Sequence, residues 1–410
     1  MLSPEKINCS NFACRNAWHE FFSYATLALL LCSVFFSVTP LTELNAGLEA
    51  DGRHYAAIAE HGPGGSQLAR IAPWCHRLLT PLLAGLLPLE TLASFQLLAF
   101  VSSLVNLILC SIVLRRAGLA HAQALLAQLL YAGVFWSLKF SFYAPAYIDY
   151  QSQTFGWLLL WCLLARRFHL TTLVLAITSL QKESAFFWVL VGYVARRAEP
   201  DAQAAHGRVA KLYALQLLAA AGSGYLLTHA LVQQLNQYAP EAVLRTIIMT
   251  QLGSAESILR VLQEILLGAG MLLALLLSDP SGLRRELGRQ PIWLALIAVG
   301  MLQLFSGWDK GRLLLPMLPA VLFLSAHALP VSALSSVAGM AYVTITLLLH
   351  WLIGHHFEPL GSHAAYLQRM VPVHSSEPYL PIYLLIAACY ACWLLALLLF
   401  RRSLQLPAKH

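Results

Sequence analysis

Apolar residues run through the chain in blocks separated by short polar punctuation. The blocks fall at roughly 21–39, 93–114, 121–141, 152–165, 169–180, 184–195, 212–232, 257–278, 291–306, 313–329, 334–354 and 379–400. A helix rises about 1.5 Å per residue, so about 20 residues cross the bilayer core. Two blocks, 169–180 and 184–195, are too short for this and are joined by Gln181-Lys182-Glu183. They predict one helical hairpin. The pattern therefore predicts an all-α polytopic membrane protein with about ten transmembrane helices plus that hairpin, forming a single integral-membrane domain over 1–410.

Composition supports this class. The chain is 59% hydrophobic and only 11% charged, against about 25% charged in soluble domains. Its mean hydropathy is +0.66. Secreted enzymes, disulfide scaffolds, disordered regulators and nucleic-acid readers are excluded. The net charge of +7 has a topological meaning instead. Arg115-Arg116, Arg166-Arg167, Arg196-Arg197, Arg284-Arg285 and Arg401-Arg402 sit between apolar blocks, as the positive-inside rule requires of cytoplasmic loops. With both termini cytoplasmic, the arginine pairs all fall inside. Five segments then face outward: 40–92, 142–151, 233–256, 307–312 and 355–378. The first is the longest non-cytoplasmic loop. It contains an amphipathic, proline-broken stretch from Arg77 to Pro88 that predicts interfacial helices. The polar-mixed start has no cleavable leader pattern, and the long spans suit a bacterial inner membrane.

The outward segments concentrate the ionisable residues. Carboxylates at membrane level cost roughly 2.5–3.5 kcal/mol on insertion scales and mark functional sites by default. Glu49 and Asp51 open the first loop, Asp149 ends the second, Glu183 tops the hairpin and Asp309 lies between two late blocks. Arg53, Arg70, Arg77, Lys182, Lys310 and Arg312 accompany them, and guanidinium and ammonium groups beside a membrane suit a phosphate headgroup. The chemistry invited is group transfer from a lipid phosphate: a carboxylate takes the proton of an attacking hydroxyl while basic groups stabilise the departing phosphate.

Those residues carry a resemblance. Glu49-Ala-Asp51-Gly-Arg53-His-Tyr55-Ala-Ala-Ile58-Ala59 resembles the first-loop signature of the GT-C superfamily of integral-membrane glycosyltransferases, an Asp-Gly-x-x-Tyr-x-x-Ile-Ala segment preceded by a modified Asp-x-Asp. The stretch from Arg70 to Pro81 is similar to the arginine-and-proline segment that follows in bacterial members. Lys182-Glu183 resembles their Arg-Glu pair between short helices, with lysine in place of arginine, and Asp309-x-x-Arg312 resembles their late Asp/Arg-Pro segment. The resemblance implies a polyprenyl-phosphate-linked sugar as donor, in the manner of the mannosyltransferase-like members. It also implies inverting transfer on the non-cytoplasmic face, a glycan, lipid or protein acceptor, and membrane lipids as surroundings. Carried over, Asp51 is the catalytic base and Glu49 its partner or a metal ligand. Arg53, Tyr55, Arg70, Arg77, Tyr147, Asp149, Lys182, Glu183, Asp309 and Arg312 bind substrate.

Each residue also has a plainer reading. Asp51-Gly52 is a common turn dipeptide, Asp149 and Tyr147 sit where a helix start favours an acidic cap, and Lys182-Glu183 suits a structural ion pair. Asp309 and Arg312, one turn apart, can pair with each other. Carboxylates at Glu49 and Asp51 suit magnesium or manganese, while many relatives work without metal. His54, His61 and His76 in the first loop, and His355, His356, His363 and His374 in the last, match no compact zinc pattern. Two rival functions stay open. A polysaccharide polymerase or ligase acting on diphosphate-linked glycans would place its arginine and histidine chemistry in 355–378. A lipid or solute transporter would line a mid-membrane path reachable from both sides.

Overall fold

The computed structural model describes residues 11–134, 136–205, 207–237, 271–303, 314–329 and 337–354, with scattered positions between 241 and 269 and between 388 and 399. Every regular element among the described residues is helical. In chain order they are α1 (Asn11–Val38), α2 (Glu49–His61), α3 (Leu79–Leu86), α4 (Thr91–Ala117), α5 (His121–Gly133), α6 (Leu138–Tyr143), α7 (Asp149–Leu164), α8 (Phe168–Ser179), α9 (Trp188–Arg197), α10 (Pro200–Ala204), α11 (Arg208–Leu231), α12 (Leu272–Ser278), α13 (Pro280–Arg289), α14 (Pro291–Gln303), α15 (Leu318–Ala328) and α16 (Val337–Gly354).

Helix α4 packs along α7 and α1, and α11 packs along α8 and α9. The core is aromatic as well as aliphatic: Trp157, Trp293, Tyr131, Tyr150 and Phe323 are fully enclosed, and Trp293 stacks on Phe323 with ring centres 4.5 Å apart. Helices α1 and α4 run antiparallel. Arg115, at the end of α4, donates from Nε to Glu20 near the start of α1 at 3.1 Å, and His121 Nδ1 lies 2.9 Å from the Tyr24 hydroxyl.

Two helices among the described residues are long and apolar enough to cross a membrane: Ala17–Val38 within α1, 22 residues, and α4, 27 residues. This corrects the expectation of about ten spans. Apolar composition states how much surface a segment must bury, not how far it runs as one helix. Block 121–141 leaves the helix after Gly133 and resumes in α6 for six residues. Block 313–329 opens in a 3-10 turn, Leu315–Met317, and leaves 11 residues to α15. Helix α14 has 13 residues and α7 has 16. Helices of 11–16 residues reach roughly 17–24 Å, short of the roughly 30 Å hydrocarbon core. These blocks bury against one another instead: α15 is enclosed along almost its whole length. The segment 142–151, expected as an outward loop, is likewise buried at every position. Helix α1, by contrast, leaves Trp18, Phe22, Leu29, Leu30 and Val34 exposed, an apolar face that water would not favour.

Candidate functional site

The segment between α1 and α4 folds back over the end of the bundle. Helix α2 begins at Glu49 and carries Asp51, Arg53, His54 and Tyr55. Asp51 and Tyr55, four residues apart, share one helical face. Gly52 lets that face approach the chain before α7, because a Cβ there would stand 2.6 Å from the Ala146 Cβ. His54 is sandwiched on Trp74, with ring centres 4.4 Å apart and planes 5° apart, and its Nδ1 lies 3.1 Å from the Leu68 carbonyl. Burial holds the His54 imidazole below its usual pKa.

Arg77 is the hub. Its Nη1 donates to the Tyr55 hydroxyl at 3.1 Å, its Nε donates to Glu183 Oε2 at 3.0 Å, and its Nη2 pairs with Glu183 Oε1. Burial pushes the Glu183 carboxyl up, but the Arg77 charge and hydrogen bonds outweigh it and hold the pKa at about 2. Burial opposes the charge on Arg77 too, and Glu183 and Tyr55 together hold its pKa well above the ordinary value. Burial raises the Tyr55 phenol, against the lowering influence of Arg77. Tyr55 is therefore a neutral hydroxyl, and Glu183 is an ionised acceptor too weakly basic to take a proton from an alcohol.

A second pair lies beside the first. Lys182 Nζ donates to Asp149 Oδ1 at 2.8 Å, with both side chains largely enclosed. The turn that presents Lys182 and Glu183 between α8 and α9 is pinned to the first loop. The Gln181 amide accepts from the Thr80 backbone N–H at 3.0 Å and donates to the Ile148 carbonyl at 3.0 Å, while the Leu78 N–H donates to the Leu180 carbonyl at 2.9 Å. Three distant segments meet there: α2 with 77–80, the start of α7, and 180–183.

Two cavities adjoin the pairs. Lys182 and Asp149 line a small one of about 50 Å³, together with Gln153, Trp188 and Gln303. Glu183 lines a larger one of about 640 Å³ that also reaches His76 and His229.

The other expected site residues lie elsewhere. Arg53 is exposed. Arg70 Nε donates to the Gln233 carbonyl at 2.9 Å, a tie between loops. Tyr147 is buried edge-on against Phe140, ring centres 5.1 Å apart. Glu49 opens α2, and its side chain lies outside the described residues, so the metal reading of Glu49 with Asp51 does too. Among the described residues no three His, Cys, Asp or Glu side chains gather as metal ligands. Asp309, Lys310, Arg312 and the last-loop histidines also lie outside the described residues. Sequence reasoning missed Gln181 and Thr80, whose buried amide–hydroxyl pairing no motif marks. It also missed the tie between residues 70–76 and 232–236; the polar cluster Gln233-Gln234-x-Asn236 after an apolar block was the available signal.

No protein-family model matches the chain, and no curated protein is similar enough to stand as a relative.

Proposed function

We propose that the chain is a membrane-anchored glycosyltransferase that moves a sugar from a polyprenyl-phosphate donor to an acceptor hydroxyl, with Asp51 as the base. The observation that carries this reading is the convergence of Tyr55, Arg77, Asp149 and Lys182–Glu183, drawn from three segments far apart in sequence, with cavities lined by Asp149, Lys182 and Glu183 and with Asp51 one helical turn before Tyr55. The chemistry assigns a role to each. Asp51 takes the acceptor proton as the hydroxyl attacks the anomeric carbon. The bond from that carbon to the phosphate oxygen breaks with inversion, and its electron pair leaves on the phosphate. Lys182 and Arg77 are the cations within reach of the departing charge. Glu183 holds Arg77 in position.

The two long apolar helices support an orientation. The chain between α1 and α4, which carries Asp51, lies at the end opposite Arg115 and Arg116. If α1 and α4 span the membrane, the positive-inside rule puts those arginines in the cytoplasm and Asp51 on the other face. A bacterial inner membrane fits this arrangement. The test is transfer of label from radiolabelled polyprenyl-phosphate sugars to an envelope lipid and glycan extract by the reconstituted protein. Asp51→Asn should lose at least about a hundredfold in rate with its melting temperature unchanged. Transfer by the variant at the wild-type rate would remove Asp51 from the role of base.

A further inference from the structure

The described lining of the larger cavity holds no arginine or lysine. One wall is aromatic. The His76 and His229 rings stack with centres 3.6 Å apart and planes 10° apart, and Tyr225 continues the wall 3.9 Å from His229. Glu183, Gln233 and Gln234 also line the cavity. The wall is held rigidly. Gly224 lets α11 lie against the end of α8, since a Cβ there would stand 1.9 Å from Ser179 Oγ. The chain after α11 is tied to the first loop: Leu235 N–H donates to the Arg70 carbonyl at 2.9 Å. Asn236 accepts from the Ala72 N–H at 2.7 Å and donates to the Ala72 carbonyl at 2.9 Å.

The polar atoms have a readable sense. His229 Nδ1 lies 2.9 Å from the Tyr225 carbonyl and so carries the proton, which makes Nε2 an acceptor in the neutral ring. His76 Nε2 faces the Gln234 carbonyl oxygen at 3.2 Å and so donates. Two imidazoles stacked this closely resist carrying two charges, and burial also lowers the His76 pKa. The carboxylate in the lining, Glu183, is already balanced by Arg77. Among the described lining residues there is no arginine or lysine to hold an anion, and a cation finds the carboxylate taken. A ring with one apolar face and several hydroxyls fits: the aromatic wall takes the face, while the carboxylate, imidazole and amides take the hydroxyls. A volume of about 640 Å³ lies within the roughly 300–1,000 Å³ of small-molecule sites.

We infer that the cavity formed by His76, His229, Tyr225 and Glu183 binds a neutral saccharide. Glu183, shared between its lining and the Arg77 clasp, makes it the acceptor subsite; that second step rests on the glycosyltransferase reading, while the binding itself does not.

The test uses the full chain in lipid nanodiscs, with saturation-transfer NMR against the methyl glycosides of glucose, galactose, mannose and N-acetylglucosamine and against maltose. At least one of these should receive saturation from the protein. His229→Ala and Tyr225→Ala should each weaken its binding about tenfold, while Tyr225→Phe, which keeps the ring, retains it; inorganic phosphate should not compete. Absence of binding across the panel, displacement by phosphate, or unchanged affinity in both alanine variants overturns the inference. Sugar binding without any transfer upholds the cavity and defeats the glycosyltransferase reading. Transfer with an unchanged acceptor KM in both alanine variants defeats the acceptor subsite.

Discussion

At the end of the bundle that carries Arg115, three ion pairs each leave one partner open to solvent. Arg196 holds Asp201 five residues away, and Asp201 is 60% exposed. Arg166 meets Glu199 and is itself 68% exposed. Arg115 meets Glu20 at a comparably open position. At the Asp51 end Glu183 is also 45% exposed, but the pairs interlock. Arg77 holds Glu183 and Tyr55 at once, Lys182 next in the chain holds Asp149, and Gln181 next again holds Thr80 and Ile148. Exposed pairs contribute about 0–1 kcal/mol because water screens them and two long side chains lose freedom. The interlocked set fixes the relative position of three chain segments, so losing one member displaces the others.

The widest separation between the two ends should come from Arg77→Met. It leaves Glu183 and Tyr55 without their shared donor and should cost about 3 kcal/mol in unfolding free energy. A double-mutant cycle with Glu183→Gln should return a coupling of about 1–3 kcal/mol. Near-additivity would mean that the network is a set of independent contacts. The same pair sets an acid limit. The Glu183 pKa falls from its ordinary 4.5 to about 2 in the fold. A lowered carboxylate contributes stability above its unfolded value and loses it as pH falls toward the folded value. The melting temperature should therefore drop between about pH 4.5 and pH 2, and this portion of the drop should vanish in Glu183→Gln.

Gly52→Ala comes next. Its new methyl meets Ala146 and should cost about 1–3 kcal/mol, with faster amide exchange at 49–55 marking α2 as the part that moves. Asn236→Ala removes both hydrogen bonds to Ala72 and should cost about 1–2 kcal/mol, read as earlier proteolytic cleavage in 232–237. Asp201→Asn should leave the melting temperature unchanged; a clear drop would erase the contrast between the two ends.

The residues differ in how much of this they announced. Arg77 and Lys182-Glu183 were legible because ionisable groups stand out in an apolar chain. Their pairing was not legible, because Arg77 and Glu183 are brought together only by the way 77–80 docks on 180–183. The span count failed for a related reason. In α5, α14 and α15 leucines and alanines that would suit lipid are covered by other helices, and composition does not distinguish the two surroundings. The buried segment 142–151 was misjudged because tyrosine, proline and Asp149 suggested a loop. Its tyrosines at 143, 147 and 150 are core residues, and Tyr150 donates to the Pro145 carbonyl at 2.6 Å.

The Arg77–Glu183 clasp has a kinetic consequence. Arg77 and Lys182 each already hold an internal counter-ion, so a phosphate arriving in the proposed reaction would displace a carboxylate rather than fill a vacancy. Its affinity would then be set by the difference between two pairings of similar strength. Once it left, the carboxylate would take its place again. Such an exchange favours turnover over tight holding, and it makes binding less sensitive to ionic strength than an open patch of arginines would be.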